Sequence, residues 1–223
     1  MEKERETIES TIEYLKWIAD QFGLEIIGDQ IDLRDNSNEE VMKFFNTLAG
    51  SKRFLFHGTN SEDKFDTLEA RQANDAAKES GNKKAVYANE GTTAPLAAAL
   101  WNKRYLRSKS KSFITGWSSN NEGKMIFKFS PNIYELLKSG DTNMFSDGYV
   151  YVLNKDNFMN AEDAGAEWHA ESDQKPVIAV RISKKLAESI FIIGDTVAEY
   201  SPEEMKKIDE FNNPSKTRTE TEK

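Results

Sequence analysis

Cysteine is absent from the 223 residues, and the chain holds only two histidines, five prolines and no long apolar run. Without cysteine there are no disulfides and no thiolate metal sites. With His57 and His169 as the sole imidazoles, a zinc site would need an unusual share of carboxylates, so no metal is expected. No stretch approaches the roughly 20 apolar residues of a membrane-spanning helix. The first residues, Met1-Glu2-Lys3-Glu4-Arg5-Glu6, are charged with no apolar run behind them, so the expectation is a soluble, cytoplasmic protein with no membrane partner. Basic side chains are in deficit too, 30 against 38 acidic, giving a net charge of −8 that taken whole disfavours a nucleic-acid partner.

The distribution of charge alters that last point. Residues 81–130 carry Lys83, Lys84, Lys103, Arg104, Arg107, Lys109, Lys111, Lys124 and Lys128 against Glu90 and Glu122 only, a basic zone inside an acidic chain. Such a zone suits an anionic ligand, a dinucleotide or a nucleic acid, and equally a solvated charged helix face. Within it, Lys103 to Lys111 interleaves cations with Tyr105, as single-stranded nucleic-acid surfaces do.

At 38% hydrophobic and 11% aromatic the chain can fill one sizeable core. Ile8, Ile12, Leu15, Ala19 and Phe22 fall at helical spacing and predict a helix over 7–22 closed by Gly23. Ser37-Asn38-Glu39-Glu40 reads as a capping box opening a second helix that ends at Gly50. Residues 1–50 are therefore expected to form an N-terminal helical cap. From 53 the pattern turns to short strands, at 53–56, 85–88, 125–129, 149–153 and 177–182. A helix over 93–101 is marked by Pro95 and an alanine run. Ser201-Pro202-Glu203-Glu204 opens a last helix, and the chain from Asn212 reads as a disordered tail. The expected partition is a cap at 1–50, a catalytic domain at 51–200, and a helix with tail at 201–223. Scattered strands and helices without βαβ alternation indicate an α+β fold.

The chemistry concentrates at Phe56-His57-Gly58-Thr59, read as an apolar strand running out into a polar turn. The strand would fix the imidazole, Gly58 would let a flat ligand lie against its backbone, and Thr59 adds a hydroxyl. Thirty residues on, Val86-Tyr87-Ala88 places a tyrosine ring in a neighbouring strand with small Ala88 leaving room for close approach. Gly116-Trp117-Ser118-Ser119 reads as a loop whose Trp117 either lines the pocket or anchors the loop.

In the order of these segments, with a late acidic residue before a strand, residues 53–182 resemble the histidine, tyrosine, glutamate signature of diphtheria-toxin-like and poly(ADP-ribose) polymerase-like ADP-ribosyltransferases. The resemblance implies a split antiparallel sheet, NAD as substrate, and mono-ADP-ribosylation of a macromolecule by a toxin, effector or defence factor. It implies that His57 bonds a ribose hydroxyl, Gly58 holds the nicotinamide amide through its backbone and Tyr87 stacks on the nicotinamide. It also implies a catalytic carboxylate at Glu167, in Ala166-Glu167-Trp168, with Glu171 as a nearby rival. The chain departs from the polymerase pattern where a second stacking tyrosine would stand, since alanines follow Tyr87. Trp101 or Tyr105 would have to serve instead, and chain extension is not expected.

A carboxylate is needed there on physical grounds, because cleaving the bond between nicotinamide and ribose builds positive charge on the sugar, which a fixed anion stabilises. The acceptor is nucleic acid, slightly favoured, or protein. The helices of 1–50 offer a surface for a neutralising protein partner. Two alternatives stay open: an RNA 2′-phosphotransferase-like enzyme, which also consumes NAD, and an inactive binding module of the same fold.

Overall fold

A computed structural model of the chain describes residues 2–73, 83–109, 115–119, 125–160 and 167–212. Lys111, Glu122, Lys124, Glu162, Asp163, Ala166 and the tail past Asn212 lie outside the described residues. In chain order the elements are α1 (Glu2–Gln21), β1 (Gln30–Asp32), α2 (Asn38–Gly50), β2 (Phe54–Thr59), β3 (Arg71–Gln72), β4 (Lys84–Asn89), α3 (Thr93–Leu100), α4 (Lys103–Lys109), β5 (Thr115–Ser119), β6 (Met125–Phe129), α5 (Pro131–Lys138), β7 (Gly148–Asn154), β8 (Met159–Asn160), β9 (Glu167–Ala170), β10 (Ile178–Ile182), α6 (Ala187–Ile190), β11 (Val197–Glu199) and α7 (Pro202–Asn212). The result is an α+β protein with mainly antiparallel pairing.

Two compact units divide the chain. The first takes the described parts of Met1–Trp101 and Phe145–Ile190, the second those of Asn102–Met144 and Phe191–Lys223.

The first unit is built on a sheet ordered β1-β10-β7-β2-β4-β9-β8, with β3 on β4. Among the described residues, β1 and β10 are its one parallel pair. The helices start and stop where their sequences dictate. Gly23 ends α1 at φ 63°, a left-handed turn that glycine adopts without strain. In α2 the expected capping box is formed: Ser37 Oγ accepts from the Glu40 N–H, and the Glu40 carboxylate accepts from the Ser37 N–H at 2.9 Å. Its apolar stripe, Val41, Phe44, Phe45 and Leu48, is buried. Phe45 meets Phe56 edge-on at 6.1 Å, and Tyr14 of α1 stacks on Phe54 at 6.3 Å. Each such ring removed from water contributes about 2–3 kcal/mol, which fixes the two helices on the Phe54/Phe56 side of β2. The opposite side carries a second cluster including Leu55, Val86, Ala88, Tyr149, Tyr151 and Leu153.

Two expectations are corrected here, and a third gains a detail. Residues 1–50 hold more than a helical cap, because β1 within them joins the main sheet through Ile31, buried at 1% exposure and paired with Val180; three residues are too few for a period-two pattern to register. The turn assigned to His57-Gly58-Thr59 is strand, since β7 offers Tyr151, Val150 and Tyr149 as partners and the ladder continues through all three. Glu167 precedes the strand expected at 177–182, here β10, and in addition opens a short strand of its own, β9, whose four residues are paired with β4.

The second unit has a sheet ordered β11-β6-β5, parallel at β11–β6 and antiparallel at β5–β6. Phe127 and Phe129 of β6 pack on Phe191 at 4.9 and 6.2 Å. Ser201 and Glu204 cap α7 reciprocally, as the sequence indicates. Residues 116–119, expected as a loop, belong to β5, where Trp117 pairs with Phe127.

Candidate functional site

The His57 segment is positioned by β7 on one flank and α3 above. Phe54, Leu55 and Phe56 are fully buried, whereas His57, Gly58 and Thr59 are half-buried, so the strand emerges from the core at the histidine. A Cβ at Gly58 would lie 1.8 Å from the Pro95 carbonyl oxygen, and one at Gly148 would lie 1.9 Å from that of Ala99. Pro95 and Ala99 are one turn apart on α3, so the helix backbone rests on two bare glycines of adjacent strands. The open space expected beside the Gly58 Cα is therefore taken by the chain's own helix.

On its other flank β2 meets β4, and their only registered pair among the described residues is Phe56↔Asn89. Past that pair the strands part. His57 spans the opening: its Nδ1 lies 2.7 Å from the Tyr87 carbonyl oxygen. A carbonyl only accepts, so Nδ1 carries a proton and donates this bond. The imidazole is tethered to β4 through this one nitrogen.

Beyond β4 lies β9, with Tyr87↔His169, Ala88↔Trp168 and Asn89↔Glu167 in register. Asn89 thus pairs with both Phe56 and Glu167, making one row across three strands, with His57 one residue off it. At about 4.8 Å per strand, roughly 10 Å separates the β2 and β9 backbones. Alternation places Tyr87, Asn89, Glu167 and His169 on one side of the sheet. His57 goes with Ala88 and Tyr151, its ring 6.5 Å from that of Tyr151. The structure thus brings His57, Tyr87 and Glu167 onto three consecutive strands, with the two rings leaving opposite sides where β2 and β4 are paired.

Glu167 is half-buried, and its backbone carbonyl accepts from Asn160 Nδ2 at 3.0 Å. The rival Glu171 lies past the end of β9, 56% exposed, with its carboxylate 3.1 Å from the Lys83 ammonium. Burial holds the Tyr151 phenol above its ordinary value, opposed by the Phe65 N–H that donates to its hydroxyl at 2.8 Å. Three residues to which the sequence assigns no role at this site join the neighbourhood. His169, at 4% exposure, faces Tyr87 with ring centroids 6.3 Å apart. Lys83 grips the Tyr87 hydroxyl through its backbone. Trp168, under the Lys155 ammonium at 4.2 Å, has a buried Nε1 with no hydrogen-bond partner. The available signal was the period of two that sets His169 on the same side as Glu167.

The basic zone does not fall within one unit. Lys83 and Lys84 belong to the first, while Lys103, Arg104, Arg107, Lys109 and Lys128 belong to the second, as do Trp117 and Tyr105. There the Lys128 ammonium pairs with Glu204, Lys109 lies 5.0 Å over the Tyr105 ring, and the Tyr105 hydroxyl donates to Asp141. Trp101, the other stand-in for a second stacking ring, is buried against Phe145 at 5.2 Å.

The fold and site define an α+β protein with a mainly antiparallel sheet in which β2 and β4 share one registered pair and His57 bonds across to the Tyr87 carbonyl. No family model, no curated protein and no solved structure matches the chain. Among the described residues, no group of His, Asp and Glu is arranged to hold a metal ion, and no helix is long and apolar enough to cross a membrane.

Proposed function

We propose that the chain is an NAD-dependent mono-ADP-ribosyltransferase whose pocket is the opening between β2 and β4. The observation that carries this reading is the order β2-β4-β9, which sets His57, Tyr87 and Glu167 on three consecutive strands, with His57 Nδ1 bonded to the Tyr87 carbonyl where the first two part. Because the two rings leave opposite sides of the paired sheet, one ligand reaches both only in that gap. Nicotinamide stacks against Tyr87 with its amide at the Gly58 backbone, and Thr59 and Ala88 line the rim. His57 Nε2 accepts from a ribose hydroxyl.

The bond between the anomeric carbon and the nicotinamide nitrogen breaks, and its electron pair leaves with nicotinamide. The acceptor nucleophile attacks the same carbon, and Glu167 stabilises the oxocarbenium charge and takes the nucleophile's proton. As a property of the sequence, the basic zone of 81–130 leans the acceptor towards nucleic acid over protein.

The test incubates the purified protein with NAD labelled in the adenylate part, alongside single-stranded RNA, single-stranded DNA or cell lysate protein. Nicotinamide release and label transfer are followed separately. Release with label on one macromolecule is expected. If neither release nor transfer occurs with any acceptor, the reading is wrong.

A further inference from the structure

Tyr87 is held in a way that its own strand does not require. Its hydroxyl accepts from the Lys83 N–H at 3.0 Å and donates to the Lys83 carbonyl at 3.2 Å, so both backbone groups of one residue close on the phenol. The Lys83 carbonyl also accepts from the Ala73 N–H at 3.1 Å, following the β3 pairing. The Lys83 side chain crosses to β9, where its ammonium is 3.1 Å from Glu171 Oε1 and 3.2 Å from His169 Nε2. An ammonium only donates, so His169 Nε2 accepts. His169 is 4% exposed, which makes it the rigid half of this anchor, while the pair with half-exposed Glu171 is of the weak surface kind.

We propose that Lys83 is a positioning residue for Tyr87. Tethered to His169 and Glu171 by its ammonium, it fixes the backbone that clasps the phenol at two points, and so sets the ring face presented at the β2/β4 opening. This rests on the preceding reading for what the ring receives, a planar cationic nicotinamide. A ring set in advance loses little freedom on binding, which shows as affinity. The anchor touches neither the anomeric carbon nor the acceptor, so it acts on substrate binding rather than on the chemical step.

The experiment compares wild type with Lys83→Met, Lys83→Arg and His169→Phe. Two readouts are taken: ring resonances of 13C-labelled tyrosine, with Tyr87 assigned by Tyr87→Phe, and steady-state nicotinamide release from NAD. Lys83→Met is expected to shift and broaden the Tyr87 resonances and to raise KM for NAD about five- to tenfold, with kcat within twofold. Lys83→Arg, which keeps a donor to both partners, recovers most of both effects, and His169→Phe reproduces the Lys83→Met spectrum. Unchanged Tyr87 resonances in Lys83→Met overturn the proposal whether or not NAD is consumed, as does a fall in kcat at constant KM. Shifted resonances in a protein whose wild type neither binds nor cleaves NAD would uphold the anchor and remove the NAD reading.

Discussion

Replacing Gly58 by alanine isolates the contact on which the site's geometry depends. The new Cβ would fall 1.8 Å from the Pro95 carbonyl oxygen and 3.0 Å from the Ala99 nitrogen, both backbone atoms of α3 that no rotamer change can move. Relief requires α3 to lift by more than 1 Å. The helix has much to lose, because Ala94, Leu96, Ala97, Ala99 and Leu100 are all buried beneath it. A gap of that size forfeits a quarter to a half of each dispersion contact, and overpacking of this kind costs about 1–3 kcal/mol. With a backbone obstacle the upper end applies, about 3 kcal/mol, or roughly a 150-fold shift in the folding equilibrium. Gly148→Ala should cost a similar amount through Ala99, and the double variant less than the sum, since one lift of α3 relieves both clashes. Gly50→Ala is the control: nothing lies within 4 Å of its Cβ position, it sits in α2, and a gain of about 0.5 kcal/mol is expected. Urea unfolding followed by far-ultraviolet circular dichroism reads all four from the midpoints at constant slope. A Gly58→Ala protein within 0.5 kcal/mol of wild type would show that α3 does not rest on β2 as described.

Ser37→Ala removes one arm of the α2 capping box and should lower stability by about 1 kcal/mol, with Ser37→Asp recovering most of it in the same urea titration. Because burial raises the folded-state pKa of Tyr151 above its ordinary 10.0, the neutral phenol stabilises the fold below about pH 10. That contribution is lost as pH rises through the folded value, so Tyr151→Phe should flatten the alkaline limb of a stability-against-pH curve. The same variant should cost about 1 kcal/mol at neutral pH, since the Phe65 N–H loses its acceptor. Glu167→Gln should reduce nicotinamide release about 100-fold or more, whereas Glu171→Gln, acting only through the Lys83 anchor, should change it by less than about tenfold; the reverse order would move the catalytic carboxylate to Glu171.

Local signals in the sequence carried the helices well. Ser37 with Glu40 and Ser201 with Glu204 are written as capping boxes and are formed as such, because a cap is settled within four residues. Long apolar strands such as β7 and β10 were equally legible. What escaped was pairing at a distance. Nothing within Gln30–Asp32 announces a strand until Val180 is beside it, and nothing in Glu167–Ala170 does so until β4 supplies a partner. The polar ending of β2 read as a turn because its ladder partners stand some 90 residues later in β7.

Gly58 shows how a residue singled out for one reason can have a packing role of its own. Its missing side chain suggested room for a flat ligand, yet the room at its Cα holds the Pro95 carbonyl, so the glycine is first a condition for seating α3. That seating bears on the opening. With α3 held on Gly58 and Gly148, β2 is fixed against β7 over its whole length, while among the described residues β4 shares with it one registered pair, Phe56↔Asn89. A strand clamped on one flank and barely paired on the other parts from its neighbour at a defined place. His57 is the first residue past the last pair, and its bond to the Tyr87 carbonyl keeps the parted strands in register. An enlarged residue at position 58 would thus disturb the opening even if no ligand ever touched it, and activity loss in Gly58→Ala alone cannot be credited to a lost ligand contact. Measuring NAD affinity beside stability for Gly148→Ala separates the two: it lifts the same helix without altering the β2 backbone, so a matched loss in both variants assigns the effect to α3.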